Sequence, residues 1–150
     1  MNPNMHAQLG AQQTLSVGTA TKIRNIHPRT GHGVMFEDEG ETGYFYALDP
    51  ARGADDEIVD ALHIYNVEGV VDRKQASILL IVWSHDGLKS ALLINGFVQA
   101  IIDFQGKRGY CRSGYPPSNP LWSKFDHKWT DSAFQLFAGP AAPAAPPEAP

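Results

Sequence analysis

The chain has 150 residues, 43% hydrophobic and 19% charged, the size and composition of one globular domain that buries enough surface to fold without a metal or disulfide staple. Its net charge of −4, from 16 acids and 12 bases, argues against non-specific nucleic-acid binding. One cysteine, Cys111, excludes an internal disulfide; with no basic start or apolar run at the N-terminus, and no apolar run near the roughly 20 residues a bilayer demands, the expectation is a cytoplasmic protein with no membrane contact.

Residues 1–13 are polar and without periodicity, and read as a flexible N-terminal arm. Residues 14–137 then read as a single β-rich domain. Around 34–48 the pattern has period two. Val34 and Phe36 share one face, Met35 and Glu37 the other, and after the turn-forming 38–41 the alternation resumes with Tyr44, Tyr46 and Leu48 against Phe45 and Ala47. That is a hairpin. Residues 55–67 fit a helical stripe (Ile58, Leu62, Tyr65) as well as an alternation; the β-rich 64–67, running into a turn at Gly69, favours a strand.

Residues 77–84, SILLIVWS, are apolar on both alternations, the mark of a strand buried on both faces. Asp86-Gly87 and Asn95-Gly96 follow, each supplying the positive φ of a tight hairpin turn. Three consecutive strands joined by such turns form an antiparallel meander. After Gly106 the chain is rich in turns, and a short helix is expected from an N-cap at Thr130 to Phe137. Residues 138–150, AGPAAPAAPPEAP, read as a disordered Pro/Ala-rich tail, because proline removes backbone donors and fixes φ. The fold class is mainly β, all-β or α+β, with an antiparallel meander sheet of about five to seven strands.

Charge is uneven along the chain. Residues 37–60 hold nine acids and one base, while 105–128 hold five bases and one acid. An acidic and a basic face, or mutual neutralisation within the fold, both satisfy this.

The acidic stretch Glu37, Asp38, Glu39, Glu41 does not match a calcium loop, and alternation keeps its carboxylates from converging, so no metal site is expected. A solvated tip, or a recognition tip for a basic partner, remains. Asp103, flanked by apolar residues, is expected on the face opposite them, in phase with Phe97 and Gln99. Cys111 beside Arg112 is a formal nucleophile candidate, but the arginine a phosphatase loop wants six positions later is Pro117, and the six histidines cannot be placed near it, so a structural cysteine is expected. No nucleotide-binding, hydrolase-elbow or zinc motif is present, and no cofactor is called for.

The late interleaving of bases and aromatics, including Lys107, Arg108, Arg112, Tyr115, Trp122 and Trp129, reads first as a loop pinned to the sheet by its aromatics, then as an interface, then as a nucleic-acid surface.

The segments FEDEGETGYFYA (36–47), LHIYNV (62–67), IVWS (81–84), LLING (92–96), DF (103–104) and GYCR (109–112) resemble the signature of a family of small bacterial proteins classed as a domain of unknown function. The resemblance covers residues 14–137 and brings no catalytic residue with it. In size and charge the chain also resembles small acidic toxin-neutralising proteins. The functional expectation is a non-enzymatic domain binding another protein, of a regulatory or toxin-neutralising (immunity) kind, through Glu37, Asp38, Glu39, Glu41, Tyr44, Tyr46, Arg112, Tyr115 and Trp122. Two alternatives stand beside it: a small hydrolase using carboxylates with His63, His85 or His127, for which a histidine in a pocket within about 3 Å of a carboxylate would argue, and a nucleic-acid binder through 107–129.

Overall fold

The computed structural model describes residues 6–138. Nine antiparallel strands form two sheets packed face to face. The five-stranded sheet has the order β1-β6-β7-β8-β9 and the four-stranded sheet β2-β3-β4-β5. The strands are β1 (Ala7–Leu15), β2 (Thr21–Ile26), β3 (Gly33–Asp38), β4 (Thr42–Leu48), β5 (Ile58–Asn66), β6 (Ser77–Ser84), β7 (Lys89–Ile94), β8 (Phe97–Asp103) and β9 (Arg108–Cys111), and a 3-10 helix, Asp131–Phe137, follows. The mainly β class, the hairpin, the meander and the strand at 58–66 agree with the sequence reading. So does the helix capped by Thr130, whose hydroxyl accepts from the Ser132 N–H.

The alternation places the core. In register across the four-stranded sheet, Ile23, Phe36, Phe45 and Leu62 form an inward rung. They pack against Leu79, Ile81, Trp83, Leu92, Ala100 and Ile102 of the other sheet. Asn25 stitches the two sheets where they meet, its amide donating to the Gly10 carbonyl at 3.1 Å and accepting from Trp83 Nε1 at 2.7 Å.

Strand β6 is apolar on both faces because the five-stranded sheet is covered twice. Its outer residues Val82, Ala91, Leu93, Val98, Ile101 and Tyr110 lie under Ala133 and Phe137 of the 3-10 helix, flanked by Trp129, Phe134 and Leu136.

Three expectations need correction. The arm assigned to 1–13 contains most of β1, which pairs with β6 from Ala7↔Ser84 to Leu15↔Ser77. A polar edge strand with one covered neighbour shows no clean period, so propensity missed it; this strand, β2 and β9 raise the count to nine. The turn at 86–87 has positive φ only at Gly87, whereas Asn95 and Gly96 both have it, so only the second is a two-residue turn of the expected kind. Asp103 is buried, not on an open face: the bulge between Leu92 and Leu93 breaks the phase that linked it to Gln99, and its carboxylate accepts from the Gly106 N–H at 3.0 Å. The tail expected at 138–150 lies outside the described residues apart from Ala138.

Candidate functional site

The outer face of the four-stranded sheet is built from two rungs. Lys22, Glu37, Tyr44 and His63 stand opposite one another in register, and so do Arg24, Met35, Tyr46 and Ala61. Residues opposed across antiparallel strands share a face, so the residues out of phase with the core stand in two rows on the outer side, with Met35 buried among its neighbours there. Tyr44 and Tyr46 stack with centroids 5.9 Å apart, and His63 meets the edges of Tyr44 at 5.5 Å and Tyr115 at 6.1 Å. Tyr115 is 57% exposed. The charges around these rings are paired: Lys22 with Glu37 at 3.6 Å and Arg24 with Glu57 at 2.7 Å. Bases of the early segment thus neutralise acids of 37–60 in place. Partial burial raises the pKa values of both Tyr44 and Tyr46 above the ordinary phenol value, so both stay neutral donors.

Tyr115 reaches this face because the loop after β9 folds back over β5. The His63 N–H donates to the Tyr115 carbonyl at 2.9 Å. Beneath the loop lies a sealed pair. His127 is 0% exposed, with Nε2 2.7 Å from Asp60 Oδ2 and Nδ1 2.5 Å from the Pro116 carbonyl. The carbonyl can only accept, so Nδ1 donates to it and Nε2 is left to face the carboxylate. Asn119 completes the clasp, donating its N–H to Asp60 Oδ1 and its amide to the Val59 carbonyl. This is the histidine–carboxylate distance that a hydrolase would want, but the pair has no exposed atom to offer a substrate; it fastens the loop.

Ser113, His63 and Asn66 form a second chain of polar groups. Ser113 Oγ is 3.0 Å from His63 Nδ1, and His63 Nε2 donates to Asn66 Oδ1 at 2.9 Å. The order hydroxyl–imidazole–amide is that of an activated nucleophile. However, Ser113 Oγ also accepts from the Tyr115 N–H and lies 3.2 Å from the His63 carbonyl, which competes for its single proton. With Cys111 Sγ at 3.7 Å, four groups surround the hydroxyl, which makes it a clamp between loop and strand.

The expected site residues divide. Tyr44, Tyr46, Glu37 and Tyr115 come together on the open face. Glu39 sits at the hairpin tip and is occupied there: its carboxylate accepts from the Thr42 N–H and hydroxyl, which lowers its pKa below the usual range. Glu41 is exposed at the same tip, beside a groove of about 690 Å³ lined also by Asn66, Glu68 and Arg73.

Asp38 is a correction. It is 1% exposed and cannot touch a partner. Its carboxylate accepts from the Gly18 N–H (2.7 Å), the Gly40 N–H (2.8 Å) and the Tyr65 hydroxyl (2.7 Å), tying three segments together. Tyr65 reaches it by lying over Gly43, where a Cβ would come within 2.6 Å of the ring.

Arg112 and Trp122 also leave the group. Arg112 lies 3.8 Å over the Trp129 ring and donates Nε to the Val98 carbonyl, and Trp122 packs edge-on to Phe104 at the core. Arg108 is sandwiched between Tyr110 and Phe125. The late aromatics therefore pin the loop, the first of the three readings given to them. Cys111 is fully buried, and burial pushes its thiol pKa up, away from nucleophilic character.

Sequence reasoning missed His63 as the centre of the aromatic cluster, and Met35 and Ala61 beside it. The signal was present in the alternation of 59–65 but was blurred by bulges in the β4–β5 pairing. Among the described residues no group of three or more histidines, cysteines or acids is placed to hold a metal. No helix there is long and apolar enough to cross a membrane.

Compared with known proteins, residues 15–138 match the model of a family described as an uncharacterised protein conserved in bacteria, DUF2251. A relative in Haemophilus influenzae, itself described as an uncharacterised protein, is 45% identical over 119 residues, covering 77% of this chain and 73% of the relative. No solved structure matches the chain significantly. With the family model spanning the sandwich from the end of β1 through the 3-10 helix, the chain belongs to this family of conserved bacterial proteins.

Proposed function

We propose that the chain is a non-enzymatic binding domain of the bacterial cytoplasm that holds another protein, in a regulatory or toxin-neutralising role, against the outer face of its four-stranded sheet. One observation supports the reading: a helix covers one outer face of this sandwich, no helix or strand among the described residues covers the other, and that face presents Tyr44, Tyr46, His63 and Tyr115 among paired charges. Tyrosine contributes a large rigid contact area at low entropic cost, together with a hydroxyl for the partner's backbone. Ion pairs already closed within the face leave no strong single-sign field, which favours a mixed polypeptide surface over a polyanion.

The test is affinity capture from the source bacterium with the folded chain and with a Tyr44→Ala/Tyr46→Ser/Tyr115→Ala variant of unchanged circular dichroism. The expected result is one stoichiometric partner held by the first and lost by the second. Equal capture by both contradicts the assignment of the face.

The hydrolase reading has the Ser113–His63–Asn66 line in its favour. Labelling of Ser113 by a fluorophosphonate, abolished by His63→Ala, would establish that reading over contact alone; an unlabelled serine supports the clamp.

A further inference from the structure

We propose that β1 is a self-association strand, pairing edge to edge and antiparallel with β1 of a second copy. A sandwich of two open sheets has four edges, and a free edge invites pairing unless it is blocked. Three are blocked here by identifiable means. Strand β2 carries Lys22 and Arg24. Strand β5 lies under the 113–127 loop, with Tyr115 bonded to His63 and Asn119 to Val59. Strand β9 is four residues long and is followed by a bridge from Cys111 to Lys128.

Strand β1 differs on each count. It is nine residues long, reads AQLGAQQTL without charge or proline, and among the described residues has β6 as its single strand neighbour. Eight of its residues form an exposed or half-exposed run from Ala7 to Thr14, with Leu9 61% exposed. Among the described residues its one protective feature is the irregularity at Gly10, whose carbonyl is taken by Asn25. Beyond it, Ala11–Leu15 pairs with β6 in unbroken register.

The occupant is argued from charge and symmetry. An uncharged strand meets its own copy without repulsion, and a glutamine amide both donates and accepts, so it can bond to its own copy. A two-fold axis normal to the sheet requires paired residues of equal parity, and pairing centred on Gln12 sets that side chain against itself. The β2 bases do not oppose this, because β2 stands in the other sheet. The family model begins at Leu15, so β1 lies almost wholly outside the matched segment.

A pairing of this size sits at the weak end of specific interfaces, with dissociation expected at about ten to a hundred micromolar. Sedimentation equilibrium of the full chain from about 1 to 500 µM is the test. The expected result is a mean mass rising from one chain to two, while Gln12→Lys/Gln13→Lys stays at one chain throughout with an unchanged β spectrum. In a second variant, Gln12→Cys, oxidation is expected to give a disulfide-linked dimer, whereas Gln105→Cys, on a distant turn, gives none. A wild-type chain that stays single across the range, lysine substitutions that leave association intact, or a Gln12→Cys chain that cross-links no faster than Gln105→Cys would each overturn the proposal.

Discussion

The five-stranded sheet turns Val82, Leu93, Val98 and Ile101 outward and covers them with the 3-10 helix. The four-stranded sheet turns Tyr44, Tyr46 and His63 outward, and no helix or strand among the described residues covers them, only the loop through Tyr115 reaching His63. The same sandwich core lies behind both faces, so the difference is not a demand of the core. It is written in the alternation: residues 77–84 have no polar phase, whereas 34–48 have one phase apolar and the other aromatic and charged. A face that is apolar must be covered to be stable; a face of tyrosines and ion pairs is tolerated in water and available to a partner.

The largest expected asymmetry comes from breaking the covered side. Phe137, 1% exposed at the centre of the outer cluster, should cost about 3–5 kcal/mol as Phe137→Ala. Tyr46→Ala on the open face should cost no more than about 1 kcal/mol, because the half-buried ring has little cavity to leave. Paired urea denaturation curves check the ratio.

His127→Ala should come close to Phe137→Ala, at about 3–5 kcal/mol, since it leaves the Asp60 carboxylate buried and without its main partner. If the pair only fastens the loop, the same variant should expose Tyr115 and the loop 113–126 to proteolysis before the rest of the chain unfolds. Limited proteolysis read by mass spectrometry follows that order.

At the hairpin tip the comparison sharpens. Asp38→Asn should destabilise by about 2–3 kcal/mol, having three donors to disappoint. Glu41→Ser, exposed and without a side-chain hydrogen bond among the described residues, should change stability by less than about 0.5 kcal/mol. Thermal melts of the two single variants separate the structural acid from the surface one.

The smallest effect concerns pH. Burial by itself would raise the Asp86 carboxyl, but hydrogen bonds from Ser84, Leu88 and Lys89 and the Lys89 charge outweigh it and bring the value from 3.8 to about 2. A carboxylate depressed on folding contributes stability above its unfolded value and loses it as pH falls through the folded one. The contribution is therefore full above about pH 4 and gone below about pH 2. The side chain is half exposed, so solvent screening limits it to about 1 kcal/mol. Asp86→Asn should flatten stability between pH 4 and 2 by that amount and leave the curve above pH 5 parallel to wild type.

Much of the fold was legible because β-structure with one buried face has a strict period, and because Asn95-Gly96 fixes a turn without help from the rest of the chain. Strand β1 was not legible: its order comes from backbone pairing to β6, and backbone pairing leaves no trace in side-chain pattern. The site was half legible. Tyr44 and Tyr46 follow from alternation within one hairpin. Tyr115 joins them only because His127, buried against Asp60 across 67 residues of sequence, draws the loop over β5, and nothing local marks that contact. Asp38 misled for the opposite reason. Its neighbours made it look like one of a charged run, while its own phase, shared with Val34 and Phe36, pointed it inward.

A photo-crosslinking residue placed at position 46 and, in a second chain, at position 136 on the covering helix would test the functional account most directly in the source bacterium. The account predicts a discrete adduct with a second protein from position 46 and none from position 136. An adduct from position 136 alone, or from neither position while the chain turns over a substrate, would contradict it.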